Sequence, residues 1–266
     1  CTAAEVGCNT FLLEKGSELG GLASLISKIP AKNRLADFPH YLMHRAEQLE
    51  NLYIFTNTEG TPENIRKFHP NIIVSSTGSA PLLPPIAGLK DRIDNEDYNI
   101  YSILGMINHI NDFPKDLEGK KVVVVGGGAV GLDVVEFFAD RNADISIVEM
   151  MDQIGRDLDP VSKNDTKAMM KKHNVHQLTK TALLEVKDSS FLVKGDGEPY
   201  EIPFEYGFVC LGMRAQGQLY QSLAEEFSSE DVEIMNIGDS QRARRIIDGT
   251  QEGRNILTIL EQRGYL

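Results

Sequence analysis

The sequence predicts an α/β protein with a parallel sheet, and three features of its central part carry that reading. A run of valines, Val122 to Val125, follows Lys120-Lys121, and an uninterrupted β-branched run of this kind suits a strand buried on both faces. A glycine turn comes next, Gly126-Gly127-Gly128-Ala129-Val130-Gly131. Apolar residues then recur at helical spacing from Leu132 to Ala139, with Asp133 and Glu136 between them. Asn142-Ala143 ends that helix, and Ile145 to Glu149 reads as a second strand. Strand, turn, helix and strand within about 30 residues make a βαβ unit.

The remaining elements follow in chain order. Thr10 to Lys15 resembles the second strand of a similar unit, preceded by the tail of a helix around Ala3 to Val6. The first strand of that unit and its glycine turn are missing. A glycine turn at Leu19-Gly20-Gly21 precedes a helix expected over Asp37 to Glu50. Short strands are expected at Tyr53 to Thr56 and Asn71 to Ser75, the second running into Ser76-Thr77-Gly78. Pro81, Pro84 and Pro85 mark a linker. Beyond the central unit, Ala182 to Lys194 and Glu201 to Pro203 read as antiparallel strands joined by a turn at Gly195-Asp196-Gly197. Tyr206 to Leu211 is a buried strand closed by Gly212, and Ile234 to Asp239 leads into a helix over Arg245 to Glu261.

Composition narrows the function. The 266 residues carry 27 Lys and Arg against 39 Asp and Glu, a net charge of −12, which argues against a nucleic-acid scaffold with its basic footprint. The longest apolar run, Val122 to Leu132, is interrupted by glycines and falls short of the roughly 20 residues that span a bilayer. The first residues have neither a basic segment nor a long apolar one, so no signal peptide is expected there. Cys1, Cys8 and Cys210 form neither a disulfide framework nor a CxxC pair. A reduced, cytoplasmic protein is the expectation, with no nucleic-acid and no membrane partner.

Gly126-x-Gly128-x-x-Gly131 has the dinucleotide spacing. The first glycine permits the tight turn, the second lets a pyrophosphate approach the backbone, and the third lets helix pack on strand. The helix N-terminus then offers free N–H groups and the positive end of its dipole to the phosphates. Glu149 closes the next strand at the expected distance of about 20 residues, placed to accept hydrogen bonds from a ribose. Its charge opposes the 2′-phosphate of NADP, and Met150-Met151 bring no nearby cation. Glu14 holds the equivalent strand end in the N-terminal unit. Gly238-Asp239, after a strand, can present a carboxylate to a ribityl hydroxyl, or Asp239 can simply cap the next helix. His40 and His44 lie four apart on a helix without the glutamate of a zinc-protease pattern; His173 and His176 belong to a polar helix end. Arg242, Arg244 and Arg245 read as a solvated helix start. With no paired thiols, electrons entering from NADH leave by a route outside this chain.

Taken in order, Leu13-Glu14-Lys15, Leu19-Gly20-Gly21, Ser75 to Ser79, Val122 to Gly131, Phe208 to Arg214, Ile237-Gly238-Asp239 and Glu252-Gly253 resemble the two-dinucleotide-binding flavoprotein module. The resemblance is to the C-terminal part of the multidomain NADH:flavin oxidoreductases, a group that includes 2,4-dienoyl-CoA reductase, enoate reductase and trimethylamine dehydrogenase. It implies two Rossmann-like domains, with an NAD domain (residues 90–215) inserted in a split FAD domain (1–89 and 216–266) whose first βα unit is missing. By this resemblance Glu14, Lys15, Gly20, Gly21, Thr77, Gly78, Gly238 and Asp239 belong to an FAD site, and Gly126, Gly128, Gly131, Glu149 and Gly212 to an NAD site. No side chain is implied as an acid or base. The implied function is hydride transfer from NADH to FAD, with electrons passed to an N-terminal TIM barrel of the same polypeptide. That barrel would carry FMN and a 4Fe-4S cluster and reduce an enoate or enoyl-CoA type substrate; the 266-residue chain would then be a fragment, with room for a homo-oligomer. Two departures are that Ser76 replaces the family's alanine before Thr77-Gly78, and that Leu22 replaces a polar residue after Gly20-Gly21. The rival readings are a structural ADP- or FAD-binding module of the amine-dehydrogenase kind, and a free-standing ferredoxin- or rubredoxin-type reductase.

Overall fold

The computed structural model describes residues 1–266. In chain order its first strands are β1 (Thr10–Leu13), β2 (Leu52–Phe55), β3 (Ile72–Ser75) and β4 (Ser79–Pro81). Strands β5 (Ile100–Tyr101), β6 (Lys121–Val125), β7 (Asp144–Val148) and β8 (His176–Leu178) follow. Then come β9 (Ala182–Val186), β10 (Ser190–Lys194), β11 (Tyr200–Pro203) and β12 (Tyr206–Val209), and the chain returns through β13 (Met213–Ala215) and β14 (Glu233–Asn236). The strands and helices fall into two compact units, one of residues 1–28, 32–80 and 213–266, the other of 29–31 and 81–212. No helix is long and apolar enough to cross a membrane.

The 81–212 unit holds the predicted βαβ unit at the centre of a five-stranded parallel sheet in the order β5-β12-β6-β7-β8. Val124 of β6 faces Phe208 of β12 on one side and Ile147 of β7 on the other. Val122 to Val125 are at most 3% exposed, as expected of a strand covered on both faces. One face packs Val123, Val125 and Val148 against Val186, Phe191 and Val193 of the antiparallel sheet β11-β10-β9. Aromatic rings gather on β12 and the helix Ala129–Ala139, with Phe138 4.8 Å from Phe208 and Phe113 5.1 Å from Phe138.

The other unit contains pairs of strands rather than one sheet. β1 pairs in parallel only with β2, β3 only with β14, and β4 with β13. Phe11, Leu12, Tyr53, Ile54 and Phe55, all on β1 or β2, are 38–44% exposed.

Several expected elements are redrawn. The strand expected over Ala182 to Lys194 is a hairpin, because Lys187-Asp188-Ser189 turns the chain and Lys187 N–H donates to the Ser190 carbonyl. The C-terminal helix is two, Ile246–Arg254 and Ile256–Gln262, divided at Asn255. The helix expected over Asp37 to Glu50 stops at Ala46. His173 does end a helix (Pro160–Lys172), but His176 begins β8.

Candidate functional site

The three glycines of the central turn are required for three different reasons. Gly126 sits at φ +110, and a Cβ there would lie 2.1 Å from the Cys210 carbonyl oxygen. A Cβ on Gly131 would lie 1.9 Å from the Gly126 carbonyl oxygen, so helix and strand meet backbone to backbone. Gly128 is different: a Cβ there would meet nothing. It is the N-cap of the helix Ala129–Ala139, and no side chain caps that end. Its open side faces a cleft of about 390 Å³ lined by Gly127, Gly128, Glu149, Met151, Gln153, Arg156 and Asp157.

Glu149 spans the cleft mouth between two backbone segments. One carboxylate oxygen accepts from the Gly127 N–H at 2.6 Å, the other from the Met151 N–H at 2.7 Å. Both oxygens keep unused lone pairs on the cleft side of the turn. A bare Gly128, an uncapped helix end and an acceptor-only carboxylate one strand away fit a dinucleotide: backbone N–H for the pyrophosphate, carboxylate for the ribose. Gly212, at φ +100, stands two residues beyond the carbonyl that Gly126 abuts, and it does not line the cleft.

Met150-Met151 bring no cation to the cleft, but a residue further along the chain does. Arg156, seven residues beyond Glu149, lines the same cleft. Gly155 N–H donates to the Gly127 carbonyl at 2.7 Å and Ile154 is buried, so the loop carrying Arg156 is bonded to the glycine turn.

In the other unit the predicted flavin residues form two groups. Ser79 Oγ donates to Asp239 at 3.0 Å, and the Arg244 N–H donates to the second Asp239 oxygen at 3.0 Å. Thr77 Oγ1 donates to the Gln216 carbonyl at 2.5 Å, and Gln216 N–H donates to the Gly78 carbonyl. Gly238, at φ +64, donates its N–H to Glu252, whose carboxyl this bond and Arg244 hold below its ordinary value. Thr77, Gly78, Gly238 and Asp239 are therefore assembled around one bonded centre. Glu14, Lys15, Gly20 and Gly21 make no hydrogen bond to it. Glu14 instead accepts from the Gly16 N–H at 2.6 Å, and Lys15 pairs with Glu59 in solvent. Gly20, at φ +103, caps the helix Gly21–Ile26.

Two arginines of the expected solvated group are engaged. Arg244 pairs with Glu252, and Arg245 with Asp248 in a capping box. A further cleft, unannounced by any sequence motif, has a volume of about 320 Å³ and is lined by Gln218, Tyr220, Gln221, Asn236, Ser240 and Gln241 among others; it touches none of the expected flavin residues. Of the thiols, Cys210 is buried, and burial with Asp133 and Asp94 nearby pushes it up to about 12, far from a reactive thiolate.

The chain is 26% identical over 253 residues to the NADH oxidase of Thermoanaerobacter brockii, covering 95% of this chain and 37% of that protein. Among solved structures, 2-naphthoyl-CoA reductase superposes with a TM-score of 0.79 at 23% identity, covering 95% of this chain and 36% of that one. Histamine dehydrogenase from Rhizobium sp. 4-9 does so with 0.77 at 15% identity, over 96% and 39%. The chain thus spans under two fifths of the length of each of these oxidoreductases. Residues 49–235 match the family described as pyridine nucleotide-disulphide oxidoreductase, and the chain belongs to that family.

Proposed function

We propose that this chain is the electron-input module of a flavoprotein oxidoreductase, in which the 81–212 unit holds NADH and the other unit holds FAD. The observation that carries the reading is the Gly126–Gly131 turn with its bare Gly128 and with Glu149 bonded across to Gly127. When bound, FAD supplies the acceptor for the nicotinamide hydride. The chain's own residues bind and orient. Gly128 and the helix end behind it take the pyrophosphate, Glu149 takes the ribose, and Asp239, fixed by Ser79 and Arg244, offers its remaining lone pairs to a polyol. No buried acid or base is needed, since hydride transfer moves no proton at the protein.

Onward transfer to an FMN and 4Fe-4S barrel of the same polypeptide, and reduction there of an enoate or enoyl-CoA type substrate, complete the proposal. The family resemblance and the length of the relatives support it, each being well over twice the span matched here. Cys210 does not relay electrons in this scheme, since its thiol is buried and protonated. The test is anaerobic addition of NADH to the flavin-loaded full-length protein. Stoichiometric bleaching of the flavin absorbance is expected. Unchanged absorbance would favour a module that holds its dinucleotide structurally.

A further inference from the structure

Glu252 belongs to neither expected cofactor site, yet the loop that carries Asp239 hangs on it. It lies in the last turn of the helix Ile246–Arg254, with Gly249 one turn earlier on the same face. Because Gly249 has no side chain, the helix comes close to Gly238: a Cβ on Gly249 would already touch the Gly238 Cα at 3.4 Å. One Glu252 oxygen accepts from the Gly238 N–H at 2.6 Å, and the other accepts from the Arg244 guanidinium at 2.5 Å. The Gly238 carbonyl in turn accepts from the Gln241 and Arg242 N–H groups, at 3.1 and 3.2 Å. Residues 238–244 therefore form a loop fastened at both ends. Asp239 sits within it, one oxygen on the Arg244 backbone N–H and the other on Ser79 Oγ.

The Arg244 side chain is the competitor in this arrangement. Its backbone is bonded to Asp239, so its guanidinium, on a long flexible stem, is within reach of the same carboxylate. A guanidinium paired with Asp239 would take, two at a time, the lone pairs that a polyol needs. Apart from Glu252, the acceptors that Arg244 meets are neutral, the Arg242 carbonyl and the Gln241 amide oxygen. Removing the Glu252 charge would leave a partly buried cation seeking a carboxylate. We propose that Glu252 is a positioning residue of the flavin site: it holds Arg244 away from Asp239 and so keeps that carboxylate free for the polyol of FAD. The inference rests on the reading of Asp239 as a flavin ligand, and adds the residue that keeps Asp239 available.

The test is calorimetric titration of the full-length apoprotein with FAD and, separately, with NADH. The variants are Glu252→Gln, the double variant Glu252→Gln with Arg244→Ala, and Asp239→Asn. Glutamine keeps an oxygen that can accept the Gly238 N–H but has no charge to hold the guanidinium. Glu252→Gln should weaken FAD by about tenfold or more and leave NADH within about twofold. Adding Arg244→Ala should return at least about threefold of the lost FAD affinity, because the competing cation is gone while Asp239 keeps the backbone N–H of residue 244. A residue that only supports the fold predicts the opposite, a second loss added to the first. Unchanged FAD binding by Glu252→Gln, loss of NADH binding along with FAD, or a double variant no tighter than Glu252→Gln would each overturn the proposal. The reading beneath it has its own outcome: if Asp239→Asn binds FAD as the parent does, Asp239 is no flavin ligand and the proposal goes with it.

Discussion

At Gly128 and Gly131 the same added methyl group meets opposite surroundings. In Gly131→Ala it would press on the Gly126 carbonyl at 1.9 Å, where only backbone could yield. Forced overpacking of this kind costs about 1–3 kcal/mol or more, so the melting temperature should fall clearly. In Gly128→Ala it meets nothing within the protein. That variant should melt as the parent does and yet bind NADH about tenfold or more less tightly, because the methyl group stands where the pyrophosphate would approach the N–H groups. Calorimetry and thermal melts on the two variants separate the roles; equal NADH binding by parent and Gly128→Ala would overturn the assignment of the turn. Cys210 carries a pH prediction. Its folded value, about 12, lies above its ordinary value of 9.0, so burial of the neutral thiol contributes stability that is complete below about pH 9. That contribution is lost as pH rises towards 12. Melts across this range should show the parent losing stability faster than Cys210→Ala, while a thiol reagent at neutral pH labels Cys210 only after unfolding.

At the scale of elements, β1 and β2 form a two-stranded parallel ribbon with apolar residues open on both faces. Phe11, Tyr53 and Phe55 lie on one face, where Phe11 stacks on Tyr53 at 5.1 Å and meets Phe68 at a tilt at 4.7 Å; Leu12 and Ile54 lie on the other. β1 has no second neighbour. An exposed apolar edge of this kind recruits other chains. The 266-residue chain should bind a hydrophobic dye and self-associate with rising concentration, and Leu12→Lys with Ile54→Lys should reduce both while changing stability by about 0.5 kcal/mol or less. An unchanged dye signal in the double variant would show the ribbon to be covered. Elements were readable where one pattern held without interruption, as in Thr10 to Leu13. They were less readable where a break was hidden between apolar runs. Lys187-Asp188-Ser189 turns the chain between two apolar stretches, and a single Asn255 divides a continuous helical pattern. Neither break involves a glycine or a proline.

At the scale of the whole molecule, the cleft at the glycine turn was legible to the extent that it is local. Gly126 to Glu149 is one βαβ unit, and its chemistry follows from spacing. Arg156 was not legible, because it sits in an irregular loop placed by a bond from Gly155 back to Gly127. The bond from Ser79 to Asp239 joins residues 160 apart in sequence, which no local pattern announces. The same contrast leads to a prediction about the two cofactors. In the 81–212 unit turn, helix end and carboxylate converge on one cleft. In the other unit Asp239, Gly238, Thr77 and Gly78 are assembled, but Glu14, Lys15, Gly20 and Gly21 make no bond to them, so a flavin pyrophosphate held by one group would lack charge-assisted bonds from the other. Charge-assisted bonds of that kind are worth roughly 1.5–3 kcal/mol each, so lacking two or three weakens a flavin by several orders of magnitude at about 1.4 kcal/mol per tenfold. The 266-residue chain by itself should therefore bind NADH in a titration and yet carry little flavin absorbance through purification. Stoichiometric FAD on the 266-residue chain would show that Glu14 and Asp239 suffice, and that the separation of the two groups is bridged by the ligand itself.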